Sequence, residues 1–188
     1  MVGDDIGWRR GAGPFPPILR SMTDAAEPLP HRIAVLCDLR DAEGRVLLLR
    51  RTKAPNQGLY SPIGGKLHTE AGESPAQCAQ REIREEAGVE IPLSDLRLAG
   101  IVSERGYEGQ GHWLMFIYRA IRPVEVQAGP IDEGVLEWRH LEEIQRLPIP
   151  RTDREIIWPL LLRQRGRFFA AHIDCTDDEL RWRLEQAD

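Results

Sequence analysis

The chain has 188 residues, enough for one domain with a core of its own. Hydrophobic residues make up 41% and charged residues 29%, which is ordinary for a globular protein. A net charge of −5 argues against general binding to nucleic acid or anionic membranes, and no apolar run reaches membrane-span length. Residues 1–30 are dominated by Gly, Pro and acidic residues, and the run from Gly11 to Pro17 is poor material for regular structure. They are expected to form an extension outside the fold, with Trp8, Phe15, Ile18 and Leu19 as its apolar residues and Met22 as a second plausible start.

Residues 33–39 read as a strand, Asp41 to Gly44 as a turn, and residues 46–51 as its hairpin partner. A loop over 54–58 leads to a short strand, 59–63, which enters a glycine turn. Residues 96–103 are predicted as a strand ended by the Gly-rich loop 106–111. Residues 112–121 are the strongest strand, rich in aromatic and branched side chains. A short strand over 135–139 and a helical turn over 141–147 follow. Thr152 is the expected N-cap of a helix over 153–163, which Pro159 kinks or divides. Residues 168–173 are expected to add an edge strand, and 177–186 a polar terminal helix anchored by Leu180 and Trp182. This order predicts one α/β domain over 31–166, a mixed sheet between helical layers, with residues 167–188 packed on it as an extension.

The segment from Glu73 to Val89 carries the most information. Ser74 fits an N-cap, Pro75 the first helical position, and Gln77 completes a capping box. Gly88 is a natural stop. Ala76, Ala79, Ile83 and Ala87 recur at helical spacing and give a narrow face that can approach a sheet closely. Off that face, Glu82, Glu85 and Glu86 stand at i, i+3 and i+4, so three like charges share one stripe. They repel one another, and the helix dipole disfavours them in the last turn. Such a stripe makes sense against divalent cations, and oxygen-only ligands point to Mg²⁺ or Mn²⁺. The bland alternative is a solvated face laced with pairs such as Arg81–Glu85.

In sequence, Gly64-Gly65-Lys66-Leu67, then Glu73, then Arg81-Glu82-Ile83-Arg84-Glu85-Glu86-Ala87-Gly88-Val89 resemble the Nudix box. Gly65 and Glu73 enclose seven residues, a loop two residues longer than that pattern. The resemblance implies an α/β/α sandwich and divalent-metal-dependent hydrolysis of a pyrophosphate bond in a nucleoside diphosphate linked to another moiety. It implies Glu85 and Glu86 as metal ligands, Glu82 as a third ligand or the general base, and a backbone contribution from Gly64. Arg81 would orient the cluster through Glu73, and Lys66 would meet a phosphate. A further acid is expected from outside the box, with Glu104, Glu108, Glu133 and Glu137 as candidates.

The stretch 58–66 is similar to the approach to the glycine turn in Nudix members that hydrolyse oxidised purine nucleoside triphosphates. Tyr60 takes the aromatic position there, and Ser61 a position that carries a polar base contact. The resemblance therefore favours a nucleoside triphosphate, oxidised or not, as substrate. Its alternatives are an ADP-ribose or nucleotide-sugar pyrophosphatase, whose relatives tend to be homodimers, and a ligand sensor without turnover. A small-molecule nucleotide is the expected partner. Cys37, Cys78 and Cys175 are odd in number and widely spaced, which suits a reducing, cytoplasmic compartment. Cys78 is expected to pack rather than react. Among the histidines only His68, in the lengthened loop, is placed to meet phosphate.

Overall fold

The computed structural model describes residues 29–54, 56–164 and 167–188. The expectations for the N-terminal extension fall almost wholly outside these residues.

Among the described residues, nine strands form two sheets. The first has five strands in the order β1–β5–β4–β8–β9, comprising β1 (His31–Asp38), β5 (Gly111–Ala120), β4 (Leu96–Tyr107), β8 (Phe169–Asp174) and β9 (Arg181–Ala187). β1 runs parallel to β5 and β4 parallel to β8, while β4–β5 and β8–β9 are antiparallel, so the sheet is mixed as expected. The second sheet has four strands, β3 (Tyr60–Pro62), β2 (Val46–Arg51), β7 (Gly134–Arg139) and β6 (Gly129–Ile131), in that order.

Among the described residues, two α-helices cover the five-stranded sheet. α1 (Pro75–Glu82) continues through a wider π turn, Ile83–Ala87, and packs on β1 and β5. α2 (Trp158–Gln164) follows a second π turn, Asp153–Ile157. Strand alternation divides the core accordingly. Val35, Cys37 and Tyr118 point toward Ala79 and Ile83 of the first helix. Ala34, Val102, Met115 and Ile173 point the other way, toward Ile156, Trp158 and Leu161. Ile83 is wholly buried, and a side chain of that size stabilises by roughly 2 kcal/mol on leaving water.

Several expectations change in three dimensions. Asp41 does make a tight turn, its side chain accepting from the Glu43 and Arg45 amides. Beyond the bridge between Arg40 and Val46, however, β2 leaves β1 and joins the second sheet, where it pairs with β3 and β7. The predicted loop at 106–111 shrinks to a turn, because β4 runs on to Tyr107 and pairs there with Gly111. β6, three residues followed by a turn, left no readable pattern in the sequence.

Thr152 is not a cap. It lies within the helix in αR geometry and is buried. The π turn ends at Ile157, two residues before Pro159, so a wide turn precedes the residue that cannot donate a backbone bond.

The C-terminal segment differs most. β8 is an internal strand, and the residues expected as a helix form β9 on its far side. Leu180, Trp182 and Leu184 recur at every second position and pack against the α2-side core. That period suits a strand, and the open edge of β8 supplies the backbone partners.

Candidate active site

The helix that carries the glutamates is fixed at both ends by its own sequence. The Ser74 hydroxyl accepts from the Gln77 amide at 3.3 Å, and the Gln77 side chain accepts from the Ser74 amide at 3.0 Å. Gly88 closes it in the left-handed region at φ 71°, where a side chain would be strained.

Residues 63–67 run beside β1, with the Val35 amide donating to the Gly65 carbonyl at 2.9 Å and the Leu67 amide to the Ile33 carbonyl at 3.1 Å. This brings the two glycines against the helix. Gly64 has φ 151°, and a Cβ there would lie 2.1 Å from the Val35 carbonyl oxygen. A Cβ on Gly65 would lie 2.3 Å from Glu82 Oε1, so the Glu82 carboxylate occupies the space a side chain would fill. The Gly64 amide donates to Glu86 Oε2 at 3.1 Å. The contact made by Gly64 is thus an N–H bond that fixes a carboxylate.

Arg81 is the hub. Its Nε and Nη2 donate to the two oxygens of Glu73 at 2.8 and 3.0 Å. Its Nη1 donates to Glu82 at 2.6 Å and to Glu85 at 3.1 Å, and Nη2 reaches the Lys66 carbonyl at 3.1 Å. Bidentate guanidinium–carboxylate geometry of this kind is strong and directional. Glu73 also accepts from the His68 amide at 2.8 Å, which ties the lengthened loop to the helix. The Arg81 guanidinium holds the Glu73 carboxyl down at about 2.

The stripe predicted from sequence is not uniform. Glu85 is exposed, Glu82 is half-buried and Glu86 is buried. Burial pushes Glu82 up from its ordinary value and Glu86 up to about 8. The expectation that all three lie clear of the packed region fails for Glu86, because the widened turn lays it against the glycine corner.

A cavity of about 480 Å³ opens beside this corner. Gly64, Gly65, Lys66, His68 and Glu82 line its β1 side, together with Ser61. Trp113 of β5 forms part of the wall, with Lys66 Nζ 5.9 Å from its ring centre. Glu104 of β4 and Asp153 at the start of the second helical segment line another part, with Thr152 and Tyr107. Glu104 sits two strands from β1, on the order of 10 Å across the sheet.

Tyr60 is not in the cavity wall. It is buried on the other side of β3, where its hydroxyl donates to Glu137 at 3.0 Å and accepts from Arg139 at 2.7 Å. Adjacent residues of a strand face opposite ways, which separates Tyr60 from Ser61. Glu137 is held by Arg50, Arg139 and Tyr60, and Glu108 lies exposed at a turn. Glu133 lines the cavity and raises Glu82 and Glu86 by its charge. Cys78 is buried, and burial holds its thiol up at about 12, consistent with packing.

The sequence reading missed Trp113, Thr152 and Asp153. The alternation of Trp113 and Met115 along β5 was a usable signal for the first. The other two are placed by the packing of the second helical segment across β4, which no local pattern announces.

The NUDIX domain family model matches residues 30–158. The uncharacterized Nudix hydrolase YvcI of Bacillus subtilis is 31% identical over 116 residues, 61% of this chain and 70% of that protein. The NAD-capped RNA hydrolase NudC of Stutzerimonas stutzeri is 29% identical over 125 residues, 66% of this chain but only 43% of that protein. The crystal structure of the mutator MutT protein from Bacillus halodurans superposes with a TM-score of 0.66 at 29% identity, covering 82% of this chain and 97% of that one. The family match spans well over half the chain and encloses the arginine-centred cluster, and on that basis this protein belongs to the Nudix hydrolases.

Proposed function

We propose that this Nudix hydrolase acts on a nucleoside triphosphate, ordinary or oxidised, with Mg²⁺ or Mn²⁺ as its metal. As a member of the family it is a divalent-metal-dependent pyrophosphohydrolase of nucleotide-linked substrates, and the proposal concerns which substrate and which ion. The observation that carries it is one cavity of about 480 Å³ shared by box residues, Lys66, Ser61 and Trp113. That is room for a nucleoside beside its phosphates.

The residues suit a hard cation. Their donors are oxygens only, and Glu86 Oε2 is oriented by a backbone N–H from Gly64. Among the described residues no three acidic, histidine or cysteine side chains already converge as a cage, because Arg81 draws Glu82 and Glu85 toward itself. Glu85 and Glu86 would hold the ion, with Glu133 as the acid from outside the box. When bound, the cation would neutralise phosphate oxygens and sharpen a water as nucleophile.

The chain's own groups do the rest. Glu82 accepts the proton of the attacking water. Arg81 and Glu73 are positioning residues that aim Glu82. Lys66 meets a phosphate, and Ser61 offers a polar contact to the nucleoside. The reading places the protein in the cytoplasm, acting apart from nucleic acid and membranes. Among the described residues no helix is long and apolar enough to cross a membrane.

The test is phosphate or pyrophosphate release from a panel of ordinary dNTPs, 8-oxo-dGTP, ADP-ribose and nucleotide sugars. It is run with Mg²⁺ and with Mn²⁺, wild type beside Glu86→Gln. Metal-dependent turnover of triphosphates, lost in the variant, is expected. Turnover confined to ADP-ribose or nucleotide sugars would replace the proposed substrate class.

A further inference from the structure

The edge of a sheet presents backbone donors and acceptors that a further strand can pair with, and monomeric proteins blunt such edges. Among the described residues, three of the four edges in this fold are blunted. β3 and β6 have three residues each and carry Pro62 and Pro130, which have no N–H to give another strand. β1 is covered by residues 63–66, through bridges from Ala34 to Lys66 and from Cys37 to Ile63. β9 differs. It closes the order of its sheet and runs seven residues, Arg181–Ala187, without proline, glycine or lysine. β8 and β9 also lie beyond residues 30–158, so this edge is outside the matched family domain.

The side chains along the edge decide what fits it. Trp182 and Leu184 pack against the α2-side core, so Arg181 and Arg183 point to the other face. Ala171 pairs with Leu184 and Ala170 with Gln186, which leaves Glu185 as the extra residue of a bulge. Arg183 Nε and Nη2 donate to Glu185 Oε1 at 2.9 and 2.6 Å. The two side chains are 42% and 41% exposed, so one positive and one negative charge stand in the open on either side of Leu184. That pattern is complementary to itself. Two copies related by a two-fold axis pair antiparallel, each residue opposite one an equal distance beyond the centre. Centred on Arg183 or on Glu185, the pairing sets like charges face to face. Centred on Trp182, it sets Arg181 against Arg183. Centred on Leu184, it sets Arg183 of each copy against Glu185 of the other, twice over. Opposite charges directly across a strand pair are favourable and like charges are not.

We propose that β9 is a self-association edge, on which a second copy of this chain lays its own β9 antiparallel, centred on Leu184, and so joins the two five-stranded sheets. On the α2 side Leu184 meets Leu184 of the second copy. On the other side the two Arg183–Glu185 pairs alternate in charge. The bulge at Glu185 keeps the paired run short, so the association is reversible and depends on concentration rather than being obligate. Among the described residues the active-site cavity is lined from other elements than β9, so hydrolysis is expected to be independent of the contact.

The test is sedimentation equilibrium of the full chain over a wide concentration range. It compares wild type, Arg183→Glu, Glu185→Arg and an equimolar mixture of the two variants. Wild type is expected to show a monomer–dimer equilibrium. Each variant alone sets like charges opposite each other at both contacts, and its dimer Kd should rise at least about tenfold. In the mixture every contact is again between opposite charges, so a heterodimer of near wild-type affinity should return. If the Arg183–Glu185 pair acts only within its own chain, the mixture stays as monomeric as its parts, and that result overturns the proposal. So does a wild type that remains monomeric at the highest concentration, or a dimer that both variants retain. Hydrogen exchange on the wild type needs no variant to fold. The β9 amides should gain protection as concentration rises, and exchange independent of concentration would overturn the edge pairing.

Discussion

Acidic residues lie on two sides of the cavity, Glu82 with its box neighbours behind it and Glu104 with Asp153, and the protein treats them in opposite ways. Toward β1, Glu73, Glu82 and Glu85 share one guanidinium, and Glu86 takes a backbone N–H from Gly64. Toward β4, the Thr152 hydroxyl donates to Asp153 at 3.5 Å, and Glu104 Oε1 is buried without a hydrogen-bond partner among the described residues. The first group is oriented by fixed charge, as a catalytic cluster has to be. The second has no such guanidinium, and burial rather than pairing sets the character of Glu104. Similar side chains thus acquire different electrostatics from their partners.

Removing one carboxylate from the β1 side should show the largest effect. Glu82→Gln is expected to lower kcat by about 10² to 10⁴-fold with little change in KM, as loss of a general base does. Steady-state kinetics beside a binding measurement separate the two constants. Gly65→Ala tests the same carboxylate without touching it. Its Cβ would lie 2.3 Å from Glu82 Oε1, and displacing Glu82 should reduce kcat by roughly 10-fold to 10²-fold.

Arg81→Lys should cost about 3 kcal/mol in urea unfolding, since an ammonium cannot replace the fork that meets Glu73 and Glu82. The Glu73 share of that stability has a defined pH window. Its folded value is lowered to about 2 from an ordinary 4.5, so the contribution is full above pH 4.5 and disappears as pH falls toward 2. The stability gap between wild type and Glu73→Gln should close over that window.

The β4 side should behave in the opposite sense. Glu104 is raised to about 8, so the stability it contributes is present below pH 4.5 and lost as pH rises through 8. Glu104→Gln should therefore raise Tm by about 5 °C at pH 8 and give no such gain at pH 5. A loss of Tm at pH 8 would erase the contrast between the two groups. The smallest effect is expected from Tyr60→Phe. It removes bonds to Glu137 and Arg139, costing about 1 to 2 kcal/mol of stability, and KM should not move.

Legibility in the sequence followed the range of the forces involved. The capping box at Ser74 and Gln77 and the stop at Gly88 are made between near neighbours, and both were readable. So was the Arg81–Glu85 pair, one turn apart. The hub that Arg81 makes with Glu73 came from the motif, because eight residues of separation say nothing by themselves about contact. Tyr60 shows a local rule passed over. Beside Ser61 in a strand it had to face away from whatever Ser61 faces. The segment 177–186 shows a rule outweighed. Its charged residues suit a helix, but the period-two spacing of Leu180, Trp182 and Leu184 and the free edge of β8 make it a strand.

The sequence by itself determined a Nudix helix, its glycine corner and a mixed α/β fold, because caps, periodicity and motif spacing are written along the chain. Only the tertiary structure decided that Glu86 is buried while Glu85 is exposed, that β2 leaves β1 for a second sheet, and that Glu104 and Asp153 meet across one cavity. Burial and pairing between distant residues depend on which surfaces pack together, and that depends on the whole chain's competition for a common core.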